Sequence, residues 1–170
     1  SGSPMLCPVC RTRNFEGDDY CSHCGADLAG RDVPEGAAEF EGRLLGEHLD
    51  SLGVGAPDLV APELTVAEAL ATMRRDGVDC LLVVERGRLV GIFTERDAVL
   101  KVAGLDRSRS TVREVMTRDP VVLRHDDTLA VAINKMAVGG FRHIPIVDDG
   151  KPSGVVAAHD LFRHVLEIVG

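Results

Sequence analysis

Residues 57–102 recur as residues 120–165, shifted by 63 positions without a gap. Eleven of the 46 aligned pairs are identical, among them Thr65/Thr128, Met73/Met136, Gly77/Gly140, Gly87/Gly150, Gly91/Gly154 and Asp97/Asp160. Most other pairs exchange like for like, as in Leu70/Ile133, Val83/Ile146 and Ile92/Val155. A repeat of this length outranks any single motif as evidence about architecture. Two copies of one unit are expected to pack about a pseudo-twofold axis, with function in the clefts between them.

Each copy reads in the same order. A short apolar strand (59–60, and 121–123 in the second copy) leads into a helix capped by Thr65 or Thr128. Thr65-Val66-Ala67-Glu68 is a full capping box, its Glu able to reach back to the cap amide. Val66, Ala69, Leu70 and Met73 form one helix face, with Leu129, Ala132, Ile133 and Met136 as its counterpart. Gly77 and Gly140 end the two helices. Apolar runs at 80–84 and 144–147 follow, then turns at Arg86-Gly87 and Asp149-Gly150, then strands at 90–93 and 153–157 entering a final helix. The expected class is α+β: two β-α-β-β-α repeats, each with helices on one sheet face, burying a continuous aliphatic core between them.

Composition narrows the function. Of 170 residues, 45% are apolar and 27% charged, an ordinary globular balance. Aromatics make up 4% and Trp is absent, so the core has to be aliphatic. The net charge of −8 is uneven: residues 1–50 hold 10 acids and 4 bases, residues 51–170 hold 17 and 15. Nucleic-acid backbones need clustered Lys and Arg, so this balance argues against them. A small phosphorylated ligand needs only a few well-placed donors and stays open. No apolar run approaches a membrane span, and no signal-peptide pattern precedes the cysteines. Ser1-Gly2-Ser3 reads as an expression scar ahead of a start at Met5.

Four of the five cysteines form two knuckles, Cys7-Pro8-Val9-Cys10 and Cys21-Ser22-His23-Cys24-Gly25. Cys-x-x-Cys pairs without an export signal point to a reducing cytoplasm and a metal rather than disulfides. Cys7, Cys10, Cys21 and Cys24 would close a tetrahedral shell and leave no position open for catalysis. Residues 6–28 resemble a zinc ribbon, with Arg11 where many ribbons carry Gly. A structural zinc is the expected cofactor, and iron in a rubredoxin-like site is the rival with similar ligands. So short a segment cannot bury enough apolar surface to fold alone, so the metal must hold it together. His23 is surplus to the shell and reads as a surface or outer-shell residue.

The resulting boundaries are scar and start at 1–5, ribbon at 6–28, linker at 29–36, amphipathic helix at 37–53, and repeats at 54–109 and 110–170. The helix at 37–53 carries Phe40, Leu44, Leu45, His48, Leu49 and Leu52 as its stripe. His125, His159 and His164 show no ligand spacing and read as surface residues. Cys80, inside an apolar run, reads as a buried free thiol.

Three runs within the duplication carry a family resemblance: Gly91-Ile92-Phe93-Thr94-Glu95-Arg96-Asp97, Val115-Met116-Thr117-Arg118-Asp119-Pro120-Val121-Val122, and Phe141-Arg142-His143-Ile144-Pro145-Ile146-Val147-Asp148. In that order they resemble the signatures of a tandem CBS-domain (cystathionine beta-synthase domain) pair, over about residues 50–170. The resemblance implies a cleft between repeats that binds AMP, ADP, ATP or a related adenosyl ligand. It implies that Thr94 approaches phosphate or ribose and that Asp97 takes the ribose hydroxyls. Thr117 and Val122 would then bracket the adenine, and Arg142, with His143 beside it, would meet phosphate. Chemistry agrees, since a carboxylate accepts two hydrogen bonds from a cis-diol and a helix start favours an anion. Thr94-Glu95-Arg96-Asp97 is equally a helix cap that needs no ligand, and both roles can hold at once. In the second copy Ala157 replaces the hydroxyl while Asp160 keeps the carboxylate, and Val54 stands where the other wall has Thr117. That cleft is expected to be weaker or empty.

Nothing in the chain is assembled for catalysis. The reading is a non-enzymatic, cytoplasmic regulatory module that senses an adenine nucleotide and signals to a protein partner, with the ribbon as interaction knob. Its equivalent outer helices suit a homodimer. The alternatives are a nucleic-acid-associated factor with the ribbon as reader and an iron-containing redox protein.

Overall fold

The computed structural model describes residues 4–7, 9–15, 17–26, 28, 47–52 and 54–169. The segments expected to be a scar (1–3) and a linker (29–36), and the first ten residues of the helix expected at 37–53, lie outside the described residues. The elements are β1 (Pro4–Leu6), β2 (Arg13–Phe15), β3 (Leu59–Val60), α1 (Val66–Asp76), β4 (Cys80–Glu85), β5 (Arg88–Thr94), α2 (Glu95–Lys101), α3 (Val112–Val115), β6 (Thr117–Arg118), α4 (Leu129–Gly139), β7 (His143–Asp148), β8 (Lys151–Ala157) and α5 (Ala158–Val169). The mixed α+β content follows the sequence pattern. The chain divides into two compact units, one of residues 1–54, 123–144 and 156–170, the other of 55–122 and 145–155. The division cuts across the two sequence copies.

The second of these units is built on a four-stranded sheet, β3-β4-β5-β6. β3 runs parallel to β4, with Leu59 opposite Leu82, and β5 pairs antiparallel with both neighbours. Cys80 stands opposite Thr94, and Ile92 opposite Thr117. Arg86 and Gly87 both take positive φ (53° and 76°), as do Asp149 and Gly150 (51° and 79°). Positive φ at both central residues is the type I′ geometry whose twist suits a two-residue hairpin. On one sheet face Leu81, Val83 and Phe93 pack with Val66, Ala69 and Met73 of α1 and with Val102, Val112, Val115 and Met116. On the other, Cys80, Leu82 and Ile92 pack with Leu89 and Val155. With both faces covered, β4 reads as an unbroken apolar run instead of an alternation. The core is aliphatic as composition requires, except for Phe93, which is fully buried.

Backbone contacts repeat with the sequence. Thr65 and Thr128 cap α1 and α4, and Gly77 and Gly140 end them in the left-handed conformation, each amide bonding a methionine carbonyl, Met73 or Met136. Glu95 N donates to Asp79 O at 3.0 Å, and its counterpart Ala158 N to Arg142 O at 2.8 Å.

Three departures have local causes. Residues 121–122 form no strand; Asp119 turns the chain at φ 46°, Pro120 offers no amide, and β6 ends there instead. Helix α4 buries Ala130 and Val131 beside the expected Leu129 and Ala132, so its apolar face is wider than one stripe. Residues Leu49–Leu52 make a 3-10 turn rather than the end of an α-helix, with Ser51 Oγ donating to His48 O at 2.8 Å and competing for that carbonyl.

Gly91 lies where β6 approaches β5. A Cβ there would meet Met116 Sδ at 2.4 Å and Thr117 O at 3.0 Å. Gly91→Ala is therefore expected to push β6 outward and cost roughly 1–3 kcal/mol, the range for overpacking a fitted core. Urea unfolding of the two proteins checks it; an unchanged midpoint would show that Met116 gives way freely.

Candidate functional sites

Strand β5 delivers Thr94 to the start of α2, where extended backbone (φ −112°, ψ 168°) makes it the helix cap. Thr94 Oγ1 accepts from Asp97 N at 3.3 Å, and Asp97 Oδ2 accepts from Thr94 N at 3.0 Å and Thr94 Oγ1 at 3.2 Å. The cap is thus fully formed. The other carboxylate oxygen, Oδ1, accepts from Thr117 Oγ1 on β6 at 3.1 Å. It also lies 2.8 Å from Lys101 Nζ, one turn along α2. Lys101 Nζ donates in turn to Thr117 Oγ1 at 3.4 Å. Asp97 is only 6% exposed, an uncommon place for a carboxylate unless it is paired and hydrogen-bonded. Three residues singled out in the sequence, Thr94, Asp97 and Thr117, therefore meet around one buried acid. Val122, half-buried, belongs to the same unit.

Arg142, His143 and Asp160 fall in the other unit. Arg142 is exposed, His143 is half-buried at the start of β7, and Asp160 is exposed in the first turn of α5. The two equivalent acids thus differ sharply in burial. Lys101 escaped the sequence reading, although an Asp–Lys pair four apart on a helix is a recognisable signal. Its counterpart in the repeat is His164. His164 is half-buried and lies 2.6 Å from Glu47 Oε2, which corrects its assignment to the open surface.

The four ribbon sulfurs lie within 4.8 Å of one another. Cys7 Sγ is 3.6 Å from Cys24 Sγ, and Cys10 Sγ is 3.5 Å from Cys21 Sγ. Ligands about 2.3 Å from one tetrahedral ion stand about 3.8 Å apart, whereas a disulfide requires about 2.05 Å. The set fits a metal shell and excludes either disulfide. Backbone amides behind the thiols point to sulfur as a knuckle requires, Val9 N to Cys7 and His23 N to Cys21, both at 3.4 Å. Burial raises the Cys21 thiol, but the amides of Cys24 and His23 and the Asn14 side chain outweigh it and hold its pKa at about 6. Burial drives Cys7 and Cys24 upward. Only a cation among them lets all four be thiolates together.

The second knuckle rests against the region around α4. His23 Nε2 lies 3.2 Å from Oδ1 of the buried Asp127, whose Oδ2 accepts from Arg124 N at 2.8 Å. Gly25, at φ +74°, sits so close to Val138 that a Cβ would reach its Cγ2 at 3.1 Å. Half-buried Lys135, on the same helix face, has its ammonium pKa lowered by burial, against the opposing pull of Asp127 and of the Cys24 and Cys10 thiols. Outside the ribbon, burial and the nearby charges of Asp79 and Asp97 push Cys80 up to about 12, which makes it an inert thiol. No helix among the described residues is long and apolar enough to cross a membrane.

Comparison with known proteins places this geometry. A family model described as CBS domain matches residues 57–104 and again 112–167, together more than half of the chain. An uncharacterized 17.7 kDa protein of Acidianus ambivalens is 37% identical over 112 residues, 65% of this chain and 68% of that one. Meiotically up-regulated gene 70 protein of Schizosaccharomyces pombe is 42% identical over 95 residues, 55% of this chain but 13% of that much longer protein. Among solved structures, CBSX2 in complex with AMP superposes with a TM-score of 0.64 at 25% identity, covering 74% of this chain and 100% of that one. The CBS domain pair of MJ0100, in complex with 5′-methylthioadenosine and S-adenosyl-L-methionine, gives 0.61 at 25% identity, covering 69% and 98%. The chain belongs to the CBS-domain family.

Proposed function

We propose that this CBS-domain protein is a regulatory module, not an enzyme, that binds an adenine nucleotide or related adenosyl compound at the Thr94/Asp97 site. The observation that carries the reading is the buried Asp97 carboxylate, ringed by hydroxyls and a cation on two adjoining elements. A cap alone needs Thr94 and Asp97; it has no use for Thr117 or Lys101. Support comes from relatives of the same fold whose solved forms hold AMP, or methylthioadenosine and S-adenosylmethionine. Arg142 and His143 carry over from the resemblance as phosphate contacts, and Asp160 as a weaker second site.

The ribbon is assigned a structural zinc and a place as the contact to a protein partner. Its inner knuckle faces Asp127 and Val138, while Phe15 and Tyr20, two of only six aromatics in the chain, stay 75% and 61% exposed. Within residues 6–28 the sequence offers Arg11 and Arg13 against the acids Glu16, Asp18, Asp19 and Asp27, a balance that does not favour a nucleic-acid backbone. A homodimer is assigned to the outer helices. Val99 on α2 and Phe162 on α5 are repeat equivalents, and both are largely exposed (75% and 62%).

Three measurements test these assignments. In calorimetric titration with AMP, ADP, ATP and S-adenosylmethionine, Asp97→Asn is expected to weaken the best ligand by roughly 1.5–3 kcal/mol, the range for a charged hydrogen bond. The amide oxygen of asparagine can still accept from Thr94 N in the capping box but the pairing with Lys101 is lost, so the two affinities are compared at a temperature where thermal unfolding shows both proteins folded. Equal affinity in both proteins would leave Asp97 a cap and nothing more. Elemental analysis is expected to find one zinc per chain, lost in Cys7→Ser; iron with visible absorbance would reassign the centre. Sedimentation is expected to give a dimer mass that Val99→Asp or Phe162→Asp halves, and a monomer at every concentration would remove the dimer.

A further inference from the structure

Lys101 stands between the Asp97 carboxylate and anything that would bind it. Its ammonium lies 2.8 Å from Asp97 Oδ1 and 3.4 Å from Thr117 Oγ1, and that hydroxyl itself lies 3.1 Å from Oδ1. Oδ2 is already occupied by the amide and hydroxyl of Thr94. Asp97 is buried while Lys101 and Thr117 are both exposed, so these two side chains form the layer between the carboxylate and solvent. A carboxylate oxygen offers two acceptor positions, and on each oxygen both are taken. A vicinal diol therefore reaches Asp97 only by displacing some of these donors, and Lys101, exposed at the end of a flexible stem, leaves without disturbing the backbone.

Moving Lys101 strips a buried carboxylate of its cation and sets an ammonium free beside it. Diol hydroxyls can replace the hydrogen bonds but not the charge, so a neutral ligand leaves both ions poorly compensated. A ligand with its own anion resolves this. The phosphate of a nucleotide hangs from the same ribose as the diol, within the arc swept by a flexible four-carbon stem. The second copy lacks the capping hydroxyl, Ala157 standing for Thr94, and it lacks the lysine as well. Where Lys101 is replaced by His164, that ring is engaged by Glu47 at 2.6 Å, and Asp160 is exposed.

Resting on the adenosyl reading above, we propose that Lys101 is a selectivity residue: it guards Asp97 in the free protein and passes to the ligand's phosphate on binding. The site then selects phosphorylated adenosines over neutral adenosine and over the cationic sulfonium of S-adenosylmethionine. Lys101 positions and discriminates, and its test is a ratio of affinities that a purely structural role would leave alone.

The experiment is calorimetric titration of the full chain and of Lys101→Met and Lys101→Arg with AMP, adenosine and S-adenosylmethionine, at one ionic strength. The side chain is 41% exposed, so both variants are expected to fold. The wild type is expected to prefer AMP to adenosine by about tenfold or more, as a charge-assisted contact supplies. Lys101→Met is expected to lower that preference several-fold by weakening AMP while adenosine binds equally or better, the guard being gone and Arg142 and His143 supplying what preference remains. Lys101→Arg is expected to keep it. An AMP-to-adenosine ratio unchanged in Lys101→Met overturns the proposal, as does an equal loss of all three ligands, which would make Lys101 a mere prop for Asp97. A wild type that binds AMP and adenosine alike overturns it too while leaving the adenosyl site standing, whereas a wild type that binds no adenosyl compound removes both.

Discussion

The close approach of β6 to β5 at Gly91 sets the geometry of the carboxylate site. Strand β5 is paired on both edges and buried on both faces, so its backbone is fixed before any ligand arrives. The missing side chain at Gly91 lets Met116 and the Thr117 carbonyl lie against it. From there the register does the rest. Thr117 opposite Ile92 brings its hydroxyl beside the end of β5, where Thr94 turns the chain into α2 and Asp97 follows one turn later. A hydrogen-bonded acid held by three elements costs no reorganisation when a diol donor arrives, apart from the movement of whatever covers it.

The same grammar produced two different acids. In the first copy the hydroxyl cap, the hydroxyl on β6 and the ammonium on α2 all point at Asp97, and together they offset the cost of burying it. In the second copy Ala157 cannot cap, and the position equivalent to Lys101 is a histidine turned to Glu47. An acid without those partners stays in water, as Asp160 does. Differences at three equivalent positions, Thr94/Ala157, Lys101/His164 and Thr117/Val54, accompany one carboxylate that is buried and a twin that is a surface charge.

How legible was this in the sequence? Elements defined by local chemistry were readable: the capping threonines, the glycines ending α1 and α4, the two hairpin turns and the cysteine knuckles each depend on residues close in the chain. The convergence of Thr94, Asp97 and Thr117 came through family resemblance rather than spacing, because β6 reaches β5 by a pairing that no local pattern encodes. Lys101 was missed because a lysine four residues after an aspartate usually makes a solvated helix pair. Only the tertiary burial of Asp97 gives this one significance. The broad apolar face of α4 was missed for a related reason, since a stripe count assumes one partner.

The ribbon shows where metal chemistry and packing meet. Four thiolates around a divalent ion carry two net negative charges, and desolvating such a centre calls for nearby cations and amide donors. The amides of Val9 and His23 and the Asn14 side chain supply donors from within the ribbon. The half-buried Lys135, on the face of α4 that also carries Val131 and Val138, supplies charge from outside it. Asp127 is the foremost opposing charge on that ammonium, ahead of the Cys24 and Cys10 sulfurs, while Arg124 acts against it. Asp127 ties the same arrangement from its other end, one carboxylate oxygen on the Arg124 amide ahead of α4 and the other on the His23 ring. The segment that carries the cysteines is thereby joined to the start and the outer turn of α4 by one polar contact, His23 to Asp127, and by the close approach of Gly25 to Val138.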